Sequence, residues 1–264
     1  MAFFEIKNLR SNTINRKVSV DVIVPFDSKV RQHPKGEIFK TLMLLHGMRD
    51  NNFIWTLETR IHSLAERYNI CVIMPNGENG FYLNHDDSYT LYEDFVCGEL
   101  LDMMRTLLPI SDKREDTFIG GFSMGGYGSL RNGLKHHDVF SKICALSPGL
   151  TPEYAENYSS DDPVFFHRPE FVRSHMGDLK EAKNSDKNPL WLIDKLAAEG
   201  VELPEIYMTT GTEDPLISAN HEIAEHLRKA GAKFTAFSEP GIHDWDFINR
   251  QLERAIAWLA GEKA

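Results

Sequence analysis

Cysteine is scarce in this sequence, with three in 264 residues. Cys71, Cys97 and Cys144 cannot form a closed set of pairs, and two of them sit in the short apolar runs ICVIMP and SKICALSP. A disulfide framework is therefore not indicated, and buried reduced thiols are expected. Long apolar runs are missing too. No stretch approaches the ~18 apolar residues of a membrane span, and the N-terminal segment has no continuous apolar core of a signal peptide. The expectation is a cytoplasmic, unprocessed chain that meets no membrane. The sequence also lacks internal repeats, low-complexity linkers and any basic cluster. Lys plus Arg number 29 against 39 Asp plus Glu, a formal charge of −10. A polyanion would meet net repulsion, so nucleic acid is not an expected partner. Metal-ligand spacings such as H-E-x-x-H are absent, and neither a metal nor another cofactor is expected.

What is present is ordered along the chain. Phe4 and Ile6, then Val18, Val20, Val22 and Val24, recur at period two and predict an antiparallel strand pair. A polar loop, DSKVRQHPKGE, follows. Short apolar runs at 41–47, 70–75, 116–122, 142–147, 205–211 and 233–239 then alternate with helical patterns at about 53–68, 90–108, 124–136, 190–200, 218–230 and 244–260. Strands apolar on both faces and separated by helices predict an α/β fold. Its central sheet is mostly parallel with helices on both faces, and the N-terminal pair extends one edge. One domain over 1–264 is expected. A polar, aromatic stretch at about 149–188 interrupts the alternation, too long for an ordinary connection. It reads either as a surface excursion or as a lid over a site at the carboxyl edge of the sheet.

The chemistry concentrates in a few turns. Gly121-Phe122-Ser123-Met124-Gly125 satisfies G-x-S-x-G between a predicted strand and a predicted helix, the context that makes this motif a nucleophile elbow. The turn is tight enough to require glycine at 121 and 125. It raises Ser123 out of the sheet at a helix N-terminus, where the Met124 N–H can face an oxyanion. A serine hydroxyl needs a base, and that base needs an orienting carboxylate, in the chain order Ser…Asp/Glu…His. Of eleven histidines, His243 alone follows the last predicted strand, in EPGIHDWDF before the terminal helix. Glu213 and Asp214 directly follow the strand ending at Gly211, and either could orient it. The loop His46-Gly47-Met48 follows the strand at 41–45. It offers the Met48 N–H as the second oxyanion donor, with His46 bracing the loop through its ring nitrogens. Trp55, Tyr82, Tyr89, Phe165 and Phe166 lie near predicted loops. Trp55, Tyr82 and Phe166 are taken as substrate-binding candidates.

These pieces, LLHGM, VIMPNGENGFY, GFSMGGYGSL, GTEDPL and PGIHDWDF, together resemble the putative-esterase family of the α/β-hydrolases. That family holds esterase D (S-formylglutathione hydrolase), bacterial tributyrin and acetyl esterases, feruloyl esterases and the mycolyltransferases. The resemblance runs over roughly residues 3 to 260 and is nearest the tributyrin-esterase branch. It implies the α/β-hydrolase fold, a triad of Ser123, Asp214 and His243, oxyanion donors at Met48 and Met124, and a homo-oligomer. The GTEDPL match selects Asp214 over Glu213. The implied activity is a serine carboxylesterase acting on small-molecule esters of short acyl chains. The alternatives are a feruloyl or acetyl-carbohydrate esterase, an S-formylglutathione hydrolase, or an acyltransferase using the same triad. Esterase D proteins differ from the HGM seen here around the first oxyanion loop.

No broad apolar lid helix is visible in the sequence, so short acyl chains should be preferred. With p-nitrophenyl esters, kcat/KM should be higher for acetyl or butyryl than for octanoyl; the reverse order would overturn the expectation.

Overall fold

The computed structural model describes residues 2–26, 34, 36–85 and 88–262; most of the polar loop after Pro25 lies outside them. Eight strands form the main sheet: β1 (Ala2–Ser11), β2 (Arg16–Val24), β3 (Lys40–Leu45), β4 (Ile70–Pro75), β5 (Thr117–Phe122), β6 (Lys142–Leu146), β7 (Glu205–Gly211) and β8 (Phe234–Glu239). Their spatial order is β1-β2-β4-β3-β5-β6-β7-β8. β1 and β2 pair antiparallel, β2 runs antiparallel to β4, and every later pairing is parallel. This is the α/β-hydrolase architecture, with the N-terminal strand pair extending one edge. β4 and β5 are buried at every position, as expected for strands covered by helices on both faces. The two faces carry separate apolar cores. One is built around Met43, Ile73, Phe95 and Tyr127, the other around Leu42, Trp55, Phe118 and Phe247. Cys71, Cys97 and Cys144 are all buried free thiols.

Two predicted helices differ in detail. The stretch 53–68 is two helices, Ile54–Glu58 and Ile61–Tyr68, because Thr59 is extended (φ −133°, ψ 172°) and its hydroxyl donates back to the Trp55 carbonyl. The stretch 90–108 begins as a two-residue ribbon, and its helix starts at Tyr92 with a π turn over Phe95–Glu99. Local polar competition and a single inserted residue do not alter apolar periodicity enough to be read from sequence.

The excursion after Gly149 contains short helices, among them Thr151–Tyr154, Pro169–Met176 and Leu179–Lys183. It packs rather than dangles: Leu150, Ala155, Val172, Met176 and Leu179 join the core. Its far end is tied to the helix after β5, α1 (Met124–Lys135). The Tyr127 hydroxyl donates to the Lys187 carbonyl (2.6 Å) and Arg131 Nε to the Asp186 carbonyl (2.9 Å). Arg131 is almost wholly buried between Glu93 and the Asp186 carboxylate, and Lys135 and His136 also reach Glu93 (both 2.9 Å). Burial alone would raise the Glu93 pKa, but the hydrogen bond from His136, the charge of Arg131 and the hydrogen bond from Lys135 outweigh it and hold the carboxyl far below its usual range.

Removing Arg131 leaves two carboxylates without their buried cation. Arg131→Ala should therefore cost about 3–5 kcal/mol, read as a lower urea midpoint. The depressed Glu93 pKa also sets a direction with pH. Its contribution is complete above the unfolded carboxyl value of about 4.3 and is lost as pH falls toward the folded value. Acid unfolding of Glu93→Gln should accordingly begin from lower stability and be less steep below pH 4.

Candidate active site

Four strand ends deliver the candidate residues to one edge. Leu45 of β3 lies in register with Gly121 of β5, and Gly121 with Ala145 of β6. The loops after β3, β5, β7 and β8 all leave from the carboxyl side, where open α/β sheets present their ligand sites. Ser123, between β5 and α1, has φ 58° and ψ −114°, a strained backbone for a residue with a Cβ. The positions two residues to either side cannot carry side chains. A Cβ on Gly121 would lie 2.4 Å from the Gly125 carbonyl oxygen, and one on Gly125 would lie 2.2 Å from the Leu45 carbonyl oxygen. The elbow is thus pressed directly against the end of β3, which brings the loop of Met48 beside Ser123.

Ser123 Oγ is 2.9 Å from His243 Nε2, and His243 Nδ1 is 2.8 Å from Asp214 Oδ2. Asp214 is 1% exposed, and its other oxygen accepts the Leu216 N–H (2.8 Å). Burial pushes its pKa up, yet the bond and charge of His243, helped by the Leu216 amide, hold it below the usual carboxylate value. Asp214 is therefore ionised at neutral pH and keeps Nδ1 as the protonated nitrogen, leaving Nε2 to face the hydroxyl. Glu213 has a different position. It accepts the Gly241 N–H (2.7 Å) and so clips the loop after β7 to the loop that carries His243. The two loops touch so closely that a Cβ on Gly211 would lie 2.1 Å from the Gly241 carbonyl oxygen.

His46 is fully buried and braces its loop from both ring nitrogens. Nδ1–H donates to the Gly47 carbonyl (2.7 Å) and Nε2 accepts the Gly77 N–H (2.9 Å). Burial drives its pKa down to about 4, so it is neutral at neutral pH. The backbone N–H groups of Met48 and Met124 have no hydrogen-bond partner among the described residues. Both residues line the cavity above Ser123.

That cavity has a volume of about 720 Å³. Its walls include Phe122 and Tyr127 and, from the excursion after Gly149, Leu150, Tyr158, Phe165 and Phe166. Of the three substrate-binding candidates, only Phe166 lines it, with the Arg49 guanidinium over its ring at 5.5 Å. Trp55 and Tyr82 are corrections, since both are wholly buried away from it. Trp55 packs edge-on to Trp245, Trp245 to Phe122, and the Phe122 ring lies 4.7 Å from His243. A row of rings thus backs the imidazole. Tyr82 fills the space left by Gly77 and Gly128 and donates its hydroxyl to the His46 carbonyl (3.0 Å). Their apolar sequence neighbourhoods are equally compatible with a core and a pocket, which is why sequence reading misplaced them. Tyr89 is exposed and outside the cavity. Sequence reading missed Asp50 and Arg49, although both directly follow the HGM loop. Burial pushes the Asp50 carboxyl up to about 6 against the pull of Arg49.

The family model described as "Putative esterase" matches residues 11–259. An acetyl esterase of Caldicellulosiruptor saccharolyticus is 36% identical over 263 residues, spanning 98% of each chain. The apoenzyme of S-formylglutathione hydrolase (FrmB) from Staphylococcus aureus is 30% identical with a TM-score of 0.83, covering 99% of this chain and 100% of that one. FphF, a fluorophosphonate-binding serine hydrolase of the same organism, is 28% identical with a TM-score of 0.85 over 99% of both chains.

A methyl group at position 125 has no room against the Leu45 carbonyl. Gly125→Ala should lose about 1–3 kcal/mol of stability and, because the elbow must move, most esterase activity. Wild-type kcat and melting temperature in that variant would overturn the packing argument.

Proposed function

The chain belongs to the putative-esterase family and is a serine hydrolase of carboxylic esters. From that premise we propose that Ser123, His243 and Asp214 are its catalytic triad, that Met48 and Met124 supply the oxyanion hole, and that its substrates are small-molecule esters of short acyl chains. The observation that carries this reading is the unbroken chain from Ser123 Oγ through His243 to the buried Asp214, with two unengaged N–H groups beside it.

In this mechanism Ser123 Oγ attacks the ester carbonyl carbon while His243 Nε2 takes its proton. The carbonyl oxygen becomes an oxyanion and receives the Met48 and Met124 N–H groups. The bond to the alkoxyl oxygen then breaks, and His243 returns the proton to that oxygen, so the alcohol leaves. Water, activated by the same imidazole, attacks the acyl-enzyme and restores the serine. Asp214 keeps the imidazole in the working tautomer and stabilises its charged form. Every proton and electron pair is handled by side chains, backbone and water, so the steps call for no metal or organic cofactor. The similarity to an acetyl esterase supports short acyl groups. The 30% identity to FrmB supports a second reading, hydrolysis of S-formylglutathione.

Ser123→Ala should lower kcat on p-nitrophenyl acetate by at least about 10⁴-fold and abolish labelling by a fluorophosphonate probe, and Asp214→Asn should cost on the order of 10³–10⁴-fold. Wild-type turnover in Ser123→Ala would end the proposal. Comparing S-formylglutathione with acetyl and butyryl esters separates the two substrate readings.

A further inference from the structure

Asp50 differs from the other carboxylates around the site. Asp214 is bonded to His243 and to the Leu216 amide, and Asp244 accepts the Phe247 N–H (2.8 Å) as the cap of the terminal helix. Among the described residues the Asp50 carboxylate accepts no hydrogen bond and stands in no ion pair. It is nevertheless partly buried and lines the cavity above Ser123. A Cβ placed on Gly47 would lie 3.3 Å from Asp50 Oδ2 and 3.6 Å from the Ser123 Cβ. A single carbon would therefore bridge the carboxylate and the serine.

Burial pushes the Asp50 carboxyl up to about 6, with Glu58 adding to the rise and Arg49 opposing it, so the group is ionised at pH 8. A partly desolvated carboxylate without a partner is costly, and an arriving cation offsets that cost. The wall around it is aromatic, with Phe81, Phe122, Tyr158, Phe165 and Phe166. Ring faces attract cations, and this wall already holds one, since the Arg49 guanidinium lies over the Phe166 ring at 5.5 Å. Among the described residues no other Arg and no Lys lines the cavity. An unpaired carboxylate beside ring faces is the combination that holds an alkylammonium group. The acyl half of the ester is short in the reading above and has no atoms to carry a charge. A cation reaching Asp50 therefore belongs to the alcohol half.

We infer that Asp50 is a specificity-determining residue that selects esters whose alcohol half carries an ammonium group. The inference rests on the serine-esterase reading above, its short acyl groups included, and deepens it by naming the class of alcohol. In the first half-reaction Ser123 Oγ bonds to the carbonyl carbon, the bond from that carbon to the alkoxyl oxygen breaks, and His243 returns the proton to that oxygen. The ammonium takes no part in these transfers. Its attraction to Asp50 holds the alcohol half in place while they occur.

The test uses two acetates of the same shape, acetylcholine and 3,3-dimethylbutyl acetate, which differ by one charged nitrogen in place of a carbon. Their kcat/KM values are measured at pH 8 in 0.15 M salt, where the overall charge of −10 is screened beyond about 8 Å. The proteins are the wild type, Asp50→Asn and Asp50→Glu, with melting temperature reporting that each is folded. The intrinsic reactivities of the two esters are the same in every protein, so a change in their ratio reads the charge at position 50. The wild type should favour the cation at least fivefold. Asp50→Asn should lower that preference at least fivefold, and Asp50→Glu, which keeps the charge, should retain most of it. A merely structural role would slow both esters together and leave the ratio unmoved. A wild type indifferent between the two, a ratio unchanged in Asp50→Asn, or equal loss in both variants would overturn the inference, and the wild-type ratio decides even where a variant fails to fold. Failure of Ser123 to label with a fluorophosphonate would overturn the esterase reading instead, so the two failures are distinguishable.

Discussion

The contact between the nucleophile elbow and the end of β3 is the constraint on which the site depends. Gly125 sits against the Leu45 and His46 carbonyls with no room for a methyl group. This approach does two things at once. It holds Ser123 in a strained conformation, and it brings the loop of Met48, a proposed oxyanion donor, against the elbow. A looser elbow would separate the two proposed donors, and preorganised donors stabilise charge far better than mobile ones. His46, neutral and bonded at both ring nitrogens, and Tyr82, bonded to the His46 carbonyl, fix the other partner in that contact.

A second close approach serves His243, the proposed base. Gly211 and Gly241 let the loops after β7 and β8 touch, and Glu213 fastens them through the Gly241 N–H. Asp214 is then held buried beneath His243, and the row Trp55–Trp245–Phe122 backs the imidazole ring. Adjacent acidic residues thus have separate tasks. Asp214 meets the ring, while Glu213 positions the loop that carries it.

The excursion after Gly149 completes the enclosure. Its first part walls the cavity above Ser123, and its far end is anchored to the elbow helix through Tyr127, Arg131 and the Glu93 network. The anchor costs desolvation of several charges, which a purely apolar joint would avoid. In return the wall is referenced to the same helix that Ser123 caps.

Much of this was legible in the sequence because it depends on local chemistry. Period-two valines, apolar runs bounded by turns, and helical repeats specify the elements and their order. The spacing of G-x-S-x-G, GTEDPL and PGIHDWDF marks the turns where side chains must emerge. Short-range sterics impose these signals, so they survive in one dimension. The tertiary structure decided what depends on burial and on distant partners. Trp55 and Tyr82 carry the same aromatic surface as Phe166, yet only Phe166 reaches the cavity. Glu213 and Asp214 differ by one position, and only packing of the β7 and β8 loops assigns their contacts. The Asp50 carboxylate stands beside Ser123 because the loop after β3 meets the elbow, two segments far apart in the sequence. A side chain's chemistry is written in its own residue, but its accessibility is a property of everything that folds around it.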